Sequence, residues 1–585
     1  MFIRYRKVKN GSTRVQIVEN YRIGNKVVQK VLRHAGTAKN EAELEYLKQV
    51  AEYLKETIEE ELNPKLFTKE QLPERVSKIS RLDQIEAELP MLVNLHHLRE
   101  ERRIITGFHE VYGKLFDRVG YGHILKSSTV SNKIFKDIVL ARLAKPVSKR
   151  SSCEMLAENF GISYHLEQVY RMLDAIKSEK KNAKKEIVIT DKIPDIQEVT
   201  FQYSKRLLNG RVTLFFYDCT TLYFESFTED DLRRFGYSKD HKFNQGQVLL
   251  ALTVTEEGLP AGYEVFAGNM YEGDTFSLAI NKLKEKYSIN EALVVADSGL
   301  LSKENIEIVK ASGFQYILGA RLKNMSQTWQ QKVIEHADYE THTIYYKDRK
   351  EKEKDVLQIK DYTYNEDRNH QTVERLIVSR SSARAKKDKK DRRKALDKLL
   401  LKFRKSANPK DLISNYGYKK YLKIEGETMV VLNEEKIAKE ELWDGLHGVF
   451  TNSKRSELNA LAVLRQYHGL WQVEESFRIE KHDLRMRPVF HWSPDRIKAH
   501  IAICFVAFSL IRFLQHHIKQ EANELFSARR ISLELSSVQE SILYDIREKS
   551  NQYVIPSKSS DNVLLIYKTM KLYRNAVPYK LNESL

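Results

Sequence analysis

An aspartate lies in the middle of an almost unbroken apolar run, LFFYDCTTLYF, at residues 214–224. A run of this kind predicts a strand that is buried on both faces. An unpaired carboxylate in such a strand costs on the order of several kcal/mol unless a partner or a metal ion neutralises it. Because side chains alternate along a strand, Asp218 shares a face with Phe216 and Thr220. The run therefore predicts a core strand that carries a functional acid.

A second acid, Asp297, ends another apolar strand, ALVVAD, at residues 292–297. Ser302 is a plausible helix N-cap after it, and the strand FQYILGA follows at 314–320. Antiparallel strands followed by a strand, a helix and a strand predict an α/β fold with a mixed sheet. Ligands gather at the carboxyl ends of strands in such sheets, although Asp297 in a turn or as a helix cap is the alternative.

A third acid is found in YHGLWQVEESFRIEK, residues 467–481, within a predicted helix over 454–484. At about 100° per residue, one helical face carries four of its side chains, and Glu475 is turned away from them. The four residues are Tyr467, Glu474, Arg478 and Lys481. An acid among bases suits a site that binds both a metal ion and a phosphate.

Three carboxylates from two strands and a helix are able to hold two Mg²⁺ ions, which prefer oxygen ligands. Two such ions serve phosphodiester displacement, the chemistry of DNA or RNA strands. The predicted catalytic and metal-binding residues are therefore Asp218, Asp297 and Glu474.

Charge indicates a polyanionic partner. The 585 residues include 98 Lys and Arg against 80 Asp and Glu, a formal charge of +18. Nucleic acid is the first candidate, and a merely basic or ribosome-associated protein is the alternative. Residues 384–405 form a predicted basic helix with an apolar face, which is either a solvated surface helix or a stripe along DNA phosphates.

Other function classes are disfavoured. The three cysteines, Cys153, Cys219 and Cys504, lie far apart, which argues against a disulfide framework and a structural zinc site. The N-terminus lacks the apolar core of a signal peptide, and the longest apolar run, 501–514, suits a core helix better than a membrane span. We expect a cytoplasmic protein without a membrane partner.

Two N-terminal patterns predict local structure. Hairpin signals at Asn10-Gly11 and Gly24-Asn25 predict a small basic three-stranded meander. Further on, a helix, the turn NFGIS and a second helix starting near Ser163 resemble a helix-turn-helix, or else an ordinary helical bundle. As a DNA reader, the second helix would present His165, Gln168 and Arg171.

Together these motifs resemble the DDE transposases of bacterial insertion sequences, which have an RNase H-like catalytic core. The subgroup that this sequence most resembles carries a β-rich insertion and the signature Y-(2)-R-(3)-E-(6)-K. The signature here reads Tyr467, Leu470, Glu474 and Lys481. Leucine replaces the arginine. YDCTTLYFES and VVADSGLLS resemble the motifs of the first and second acids.

The resemblance implies that the protein binds terminal inverted repeats, cleaves the element ends to free 3′-OH groups and joins these to target DNA. It implies two Mg²⁺ or Mn²⁺ ions, double-stranded DNA as partner, a homodimer in the synaptic complex and a place at a bacterial or archaeal nucleoid. A DNA-binding derivative without catalysis and a nuclease of the same fold are alternatives.

The resemblance also implies DNA contacts. Tyr467 and Lys481 would hold a phosphate and a flipped base, and Arg478 could substitute for the arginine missing at 470. Trp443 or Trp329 would stack on that base, although a core tryptophan is the simpler interpretation. Four further cations are candidate phosphate contacts or ordinary surface charges: Lys239, Lys242, Arg321 and Lys323.

Too long for one core, the chain is expected to form several domains. The predicted regions are a β-meander (1–36), a helical arm (37–106), a helical end-binding region (107–200), a first segment of the catalytic core (201–324), a β-rich insertion with the basic helix (325–452), a second segment of the catalytic core (453–520) and a helical C-terminus (521–585).

Overall fold

The structure is a computed structural model that separates into two compact units, Met1–His96 and His97–Leu585. It describes all residues except 9–11, 24–25, 39–40, 63–92, 126–128, 182–185, 225–227, 237–244, 288–291, 301, 336–337, 346–353, 367–372, 406–419, 426–428, 488 and 582–585.

The first unit is a three-stranded antiparallel sheet with one helix. The strands are β1 (Phe2–Lys7), β2 (Thr13–Ile23) and β3 (Lys26–Ala38), in the order β1-β2-β3, and the helix is α1 (Glu41–Leu62). Val15, Ile17 and Val18 of the central strand are fully buried. The two hairpin signals, Asn10-Gly11 and Gly24-Asn25, lie outside the described residues.

The second unit begins with an edge strand and a group of helices. Their bounds are β4 (Leu98–Ile105), α2 (Lys114–Val119), α3 (Thr129–Ala144), α4 (Lys149–Phe160), α5 (Leu166–Ile176), the hairpin β5 (Lys177–Lys181) and β6 (Ile187–Asp191), and α6 (Ile193–Leu207). A π-helical turn at His109–Gly113 precedes α2.

The predicted helix-turn-helix corresponds to α4 and α5. The helix α4 ends at Gly161 in the left-handed conformation, φ 68°. The second helix begins at Leu166, later than the predicted start near Ser163, because the His165 amide donates to the Gln168 side chain (2.9 Å) and caps it there. Arg171 is exposed and pairs with Glu167 at 3.5 Å.

A mixed sheet forms the centre of the second unit. Its first five strands, β7 (Leu214–Tyr223), β8 (Gln247–Thr255), β9 (Pro260–Ala267), β10 (Leu293–Ala296) and β11 (Gln315–Ala320), are arranged in the order β9-β8-β7-β10-β11. The first three pair with one another in antiparallel fashion, whereas β10 lies parallel to both β7 and β11. The helices α7 (Glu272–Tyr287), α8 (Lys303–Ala311) and α9 (Gln327–Ile334) belong to the same stretch of chain.

The region predicted as a β-rich insertion continues the same sheet. Its strands β12 (Glu340–Tyr345), β13 (Lys354–Glu366), β14 (Val373–Ser381) and β17 (Leu446–Thr451) extend the order to β12-β13-β14-β17-β11, all by antiparallel pairing. The basic helix α10 (Ser382–Lys405), a hairpin of β15 (Leu422–Glu425) and β16 (Met429–Leu432), and α11 (Glu434–Glu441) lie between β14 and β17 in the chain.

The prediction of one long helix over 454–484 is wrong. The structure has α12 (Ala460–His468), α13 (Trp471–Arg478) and a π-helical turn at Ile479–Asp483. The break falls at Gly469, where a Cβ would collide with the Phe216 ring of β7. The absence of a side chain therefore lets the helix junction rest on the core strand.

The C-terminal region is mixed rather than helical as predicted. It contains α14 (Pro494–Ala522), α15 (Ala528–Ser537), β18 (Gln539–Asp545), β19 (Gln552–Pro556), α16 (Asp561–Met570) and β20 (Tyr579–Leu581). The strands form a four-stranded sheet with β4, in the order β20-β19-β18-β4. This pairing joins segments more than 430 residues apart, so local sequence patterns do not reveal it.

The helix α14 is the core element of the helical region. Among the described residues it is the one helix long and apolar enough to cross a membrane, and 89% of its apolar window is buried inside the protein. Ile501 to Leu510 are all buried, as expected from the prediction of a core helix over 501–514.

Ionisable side chains are buried beside α14. The Nζ of Lys149 lies 3.4 Å from His500 Nδ1, and both residues are buried. Burial, and then the charge of Arg142, lowers the pKa of Lys149 to about 7. Burial raises the pKa of Glu480 to about 8. The fold therefore holds these groups partly or wholly neutral near pH 7.

We expect Lys149→Met to raise the stability of the protein at pH 7 by about 2 to 4 kcal/mol, because it removes a buried amine. The unfolded lysine, with its ordinary pKa of 10.5, binds more protons than the folded one, with a pKa of about 7. The destabilisation that Lys149 causes at pH 7 therefore decreases as pH rises towards 10.5.

Urea unfolding at pH 7 and pH 9.5 measures the effect, which should shrink at the higher pH. The neighbouring exposed Arg150 provides the control, since Arg150→Met should change little at either pH. A Lys149→Met protein no more stable than the wild type at pH 7 would contradict the prediction.

Candidate functional site

The structure brings the three predicted acids into one cavity of about 410 Å³, lined by Asp218, Asp297 and Glu474. The acids come from the middle of β7, the residue after β10 and the first turn of α13. Because β7 and β10 are parallel neighbours, their carboxylates emerge on adjacent strands. The cavity is therefore built by the sheet, with α12 and α13 closing one wall.

The sheet holds Asp218 by local contacts. The neighbouring residues of β7 are buried, and Asp218 itself is half-buried. The Cys219 amide donates a 2.8 Å hydrogen bond to Asp218 Oδ1. Because alternation sends Phe216, Asp218 and Thr220 to one face, the helix junction at Gly469 that contacts Phe216 also covers the face carrying Asp218.

Asp297 is positioned by a turn and by Tyr467. The Leu300 amide donates to the Asp297 backbone oxygen at 3.1 Å, which closes the turn after β10. The Tyr467 hydroxyl donates to Asp297 Oδ1 at 3.1 Å. Gly319 of β11 makes room for that hydroxyl, since a Cβ there would collide with it. Burial, and then the charge of Asp297, raises the pKa of Tyr467, which therefore stays protonated as a donor.

Arg321, a predicted phosphate contact, supports the turn that follows Asp297. Its Nε donates to Ser298 O at 3.0 Å, and its Nη2 donates to Gly299 O at 3.2 Å. The guanidinium thus fastens the backbone that follows Asp297. Arg321 acts in this structure as a support of the turn.

Glu474 faces the cavity and is exposed. Lys481, predicted on the same face, lies in the π-helical turn and donates to the Thr220 hydroxyl, two residues beyond Asp218 on β7. Tyr467 and Lys481 therefore fasten the segment on both sides of Glu474 to β10 and β7. Of the four residues predicted on one face, Tyr467 and Glu474 line the cavity.

Arg478 is engaged elsewhere. Its Nε and Nη2 donate to the two carboxylate oxygens of Glu475, each at 2.6 Å, and its Nη1 lies 3.3 Å from Asp483 Oδ2. The fork of the guanidinium is thus occupied by Glu475. The two adjacent glutamates have separate surroundings: Glu474 lines the cavity, and Glu475 binds Arg478.

The cavity-wall residues that sequence reasoning missed include Arg384, His447 and Trp471. Trp471 is 56% exposed, and its place one turn before Glu474 was a signal that helical phase could have used. His447 lies on β17 with its ring 4.9 Å from that of Tyr467. Burial, and then the charge of Arg384, lowers the pKa of His447 to about 4, so the ring is neutral at pH 7.

The remaining predicted contacts that the structure describes lie outside this cavity. Trp443 lines a second cavity of about 470 Å³, with Lys323 Nζ 5.9 Å from its ring centre. Lys323 also pairs with Glu440 at 2.8 Å. Trp329 packs against Tyr362 and Tyr364, in agreement with a core tryptophan. Lys239 and Lys242 lie outside the described residues.

The cavity offers hard oxygen donors from three carboxylates, the ligand type that Mg²⁺ and Mn²⁺ prefer. Among the described residues, no three His, Cys, Asp or Glu groups are gathered closely enough to hold one ion by themselves. Mg²⁺ is usually bound by one or two carboxylates together with substrate phosphates and water. The spaced carboxylates therefore fit ions shared with a substrate.

The fold and the cavity define an α/β protein with a three-carboxylate site at its central sheet. A family model described as the transposase DDE domain matches residues 213–510, just over half of the chain. The chain belongs to this transposase family. The matched range spans all three acids and the sheet between them.

Two solved structures are distantly similar. A piggyBac transposase synaptic complex with hairpin DNA is 7% identical, with a TM-score of 0.36, over 74% of this chain and 78% of that chain. A Mos1 transposase paired-end complex with the left transposon end is 10% identical, with a TM-score of 0.14, over 29% of this chain and 53% of that one. The comparison with curated proteins found no match.

Proposed function

We propose that this protein is a transposase that binds the ends of its element, cleaves them by metal-dependent phosphodiester hydrolysis and joins the freed 3′-OH groups to target DNA. One observation carries the proposal: Asp218, Asp297 and Glu474 line a single cavity in a chain of the transposase DDE family. The order β9-β8-β7-β10-β11, with β10 parallel to β7 and β11, supports an RNase H-like core.

The three carboxylates are the proposed holders of two Mg²⁺ or Mn²⁺ ions. Bound there, the ions supply activation of the attacking oxygen and stabilisation of the leaving oxygen. The protein's own role is to keep the carboxylates in place: Tyr467 holds Asp297, and Lys481 holds the Glu474 segment to β7 through Thr220. Trp471, exposed on the cavity wall, offers a face on which a base can stack.

Charge supports DNA as the substrate. The chain carries a formal charge of +18. Twelve Lys and Arg residues fall within 384–405, and the helix α10 that they occupy contributes Arg384 to the wall of the carboxylate cavity. The face of α10 that carries Arg384 suits DNA phosphates close to the site of cleavage. Since two ends must be brought together, we propose that the protein acts as a dimer on DNA.

Purified protein, incubated with labelled DNA that carries the repeats bordering its gene, a target plasmid and Mg²⁺, tests the proposal. We expect nicked ends and end-to-plasmid joined products, both absent in EDTA. Nicking without joining would instead identify a nuclease, and binding without either product would identify a DNA-binding protein without catalysis. Either result would overturn the proposed function.

A further inference from the structure

One cation from a distant region of the chain reaches the carboxylate cavity. Arg384, in the first turn of α10, is the one Lys or Arg among the described residues that line the cavity with Asp218, Asp297 and Glu474. It also lines the second cavity, which contains Trp443. Arg384 therefore lies where the two cavities adjoin.

The backbone that carries Arg384 is held firmly. Its amide donates to the Ser381 side chain at 3.1 Å, and the Ser381 amide donates to Gly445 O at 3.0 Å. The Gly445 amide in turn donates to Asp388 Oδ2 of α10 at 3.0 Å. One turn further on, Arg392 binds both oxygens of Asp444 at 2.6 and 2.7 Å. The start of α10 is thus fastened to the loop before β17.

Helical phase selects Arg384 from the other cations of α10. The second cavity is lined by Arg384, Asp388, Asp391, Arg392 and Ala395, which follow one face of the helix. Arg393 lies nine residues after Arg384, at about 900° or half a turn away, and is exposed on the opposite face. Arg392 shares the face of Arg384 but is paired with Asp444.

The Arg384 guanidinium is available for an anion. It is exposed and forms no ion pair with an Asp or Glu among the described residues. The charge of Arg384 reaches two residues of the cavity wall. Burial is the main cause that lowers the pKa of His447 and of His468, and the charge of Arg384 is the second. Divalent ions would engage the carboxylates, which leaves the planar guanidinium for a phosphate, a group it binds with two parallel hydrogen bonds.

Position 470 supplies no cation to the carboxylate cavity. Leu470 lines the same cavity, is 9% exposed and offers no hydrogen-bond donor from its side chain. Arg478, the alternative that helical phase suggested, is occupied by Glu475 and Asp483. The described wall of the cavity therefore receives its guanidinium from α10 rather than from α12 or α13.

We propose that Arg384 binds a phosphate of the DNA strand in the carboxylate cavity and positions that strand for cleavage, supplying from α10 the guanidinium that position 470 lacks. The inference rests on the proposed function, since it assumes DNA in this cavity. Arg384 is a positioning residue: it is assigned to the phosphate and not to a proton transfer.

Binding and cleavage by Arg384→Gln, Arg384→Lys and the matched control Arg393→Gln test the proposal. Binding of the labelled repeat duplex is measured in EDTA over a range of salt concentrations. We expect Arg384→Gln to weaken binding about tenfold and to lower the salt slope by about 1. Arg384→Lys should restore the slope but only a fraction of the affinity, because lysine is a point charge. Arg393→Gln should behave as the wild type does.

Duplexes with a single neutral methylphosphonate linkage identify the contact. The wild type and Arg393→Gln should bind more weakly when one linkage near the cleavage site is neutral. Arg384→Gln should bind that duplex as well as it binds the unmodified one. Single-turnover cleavage in Mg²⁺ at saturating DNA should fall about tenfold in Arg384→Gln. Matching melting temperatures would show that the exposed substitution leaves the fold intact.

The outcomes separate the two proposals. If Arg384→Gln matches Arg393→Gln in affinity, salt slope and methylphosphonate response, the proposed role of Arg384 is overturned, whatever the cleavage result. A wild type that binds the repeat but does not cleave it overturns the proposed function, and the binding data still decide on Arg384. A wild type that does not bind the repeat overturns both.

Discussion

Asp218→Asn, Asp297→Asn and Glu474→Gln are each expected to lower the rate of DNA end cleavage by at least about 10³-fold, while DNA binding remains. The amides keep the shape of the side chain but remove the charge that would hold a divalent ion. Such ions contribute several kcal/mol of transition-state stabilisation, and each 1.4 kcal/mol corresponds to about tenfold in rate. Single-turnover cleavage of the labelled repeat duplex in Mg²⁺ measures the effect.

Glu475→Gln is the matched control, since Glu475 neighbours Glu474 but binds Arg478 instead of lining the cavity. It should cleave within a fewfold of the wild type. The reverse pattern, with Glu474→Gln active and Glu475→Gln inactive, would contradict the assignment of Glu474 as the third acid. Asp297 and Glu474 are exposed, so melting temperatures should stay close to that of the wild type and exclude misfolding as the cause.

Arg375→Met is expected to destabilise the protein by about 3 to 5 kcal/mol, the range for removing one partner of a buried ion pair. The Arg375 side chain is 1% exposed and binds Asp361 through Nε (3.2 Å) and Nη2 (2.6 Å). Its Nη1 donates to the backbone oxygens of Ser453 and Leu458, each at 2.8 Å. The substitution would leave these acceptors without their donor.

The nearby Arg455 separates burial from charge. It also binds Asp361, at 3.1 Å, but its side chain is 51% exposed, so Arg455→Met should cost only about 0 to 1 kcal/mol. Adding Asp361→Leu to Arg375→Met should recover some of the loss, because the half-buried carboxylate is removed with its partner. Urea unfolding midpoints measure all three variants, and equal losses for Arg375→Met and Arg455→Met would refute the prediction.

The effect of Arg375 should also reach the carboxylate cavity. Residues 453 to 458 lead directly into α12, whose last turn carries Tyr467, the donor to Asp297. The buried arginine therefore ties the strands β13 and β14 to the segment that precedes α12. Loosening this tie should reduce cleavage in the Arg375→Met protein more than in the Arg455→Met protein at temperatures where both are folded.

The three acids could be located from sequence because each stands out from its local pattern. Asp218 interrupts an apolar strand, Asp297 ends one, and helical phase separates Glu474 from Glu475. Local patterns also predicted the Ser302 N-cap, whose side chain accepts from the Asn305 amide at 3.1 Å. These features depend on a few consecutive residues, so neighbouring sequence is sufficient to identify them.

Features that depend on distant pairing were not predicted. Arg384 is one of twelve similar cations in its segment, and only the packing of α10 against the loop at Gly445 selects it. The helix break at Gly469 depends on the Phe216 ring, more than 250 residues earlier. Arg478 was missed for a local reason: helical phase places it on the face of Glu474, but it pairs with Glu475 three residues before it and does not line the cavity.

The pairing of β17 with both β11 and β14 limits how the chain can be shortened. Removing the segment from α9 to α11 would leave β17 beside β11 but would take away its other neighbour. Val449 and Thr451 of β17 are fully buried, so the new sheet border would expose an apolar strand with unpaired amide and carbonyl groups, a template for aggregation. The insertion therefore cannot be deleted without exposing β17, and shortened or chimeric versions of this protein need a replacement for β14.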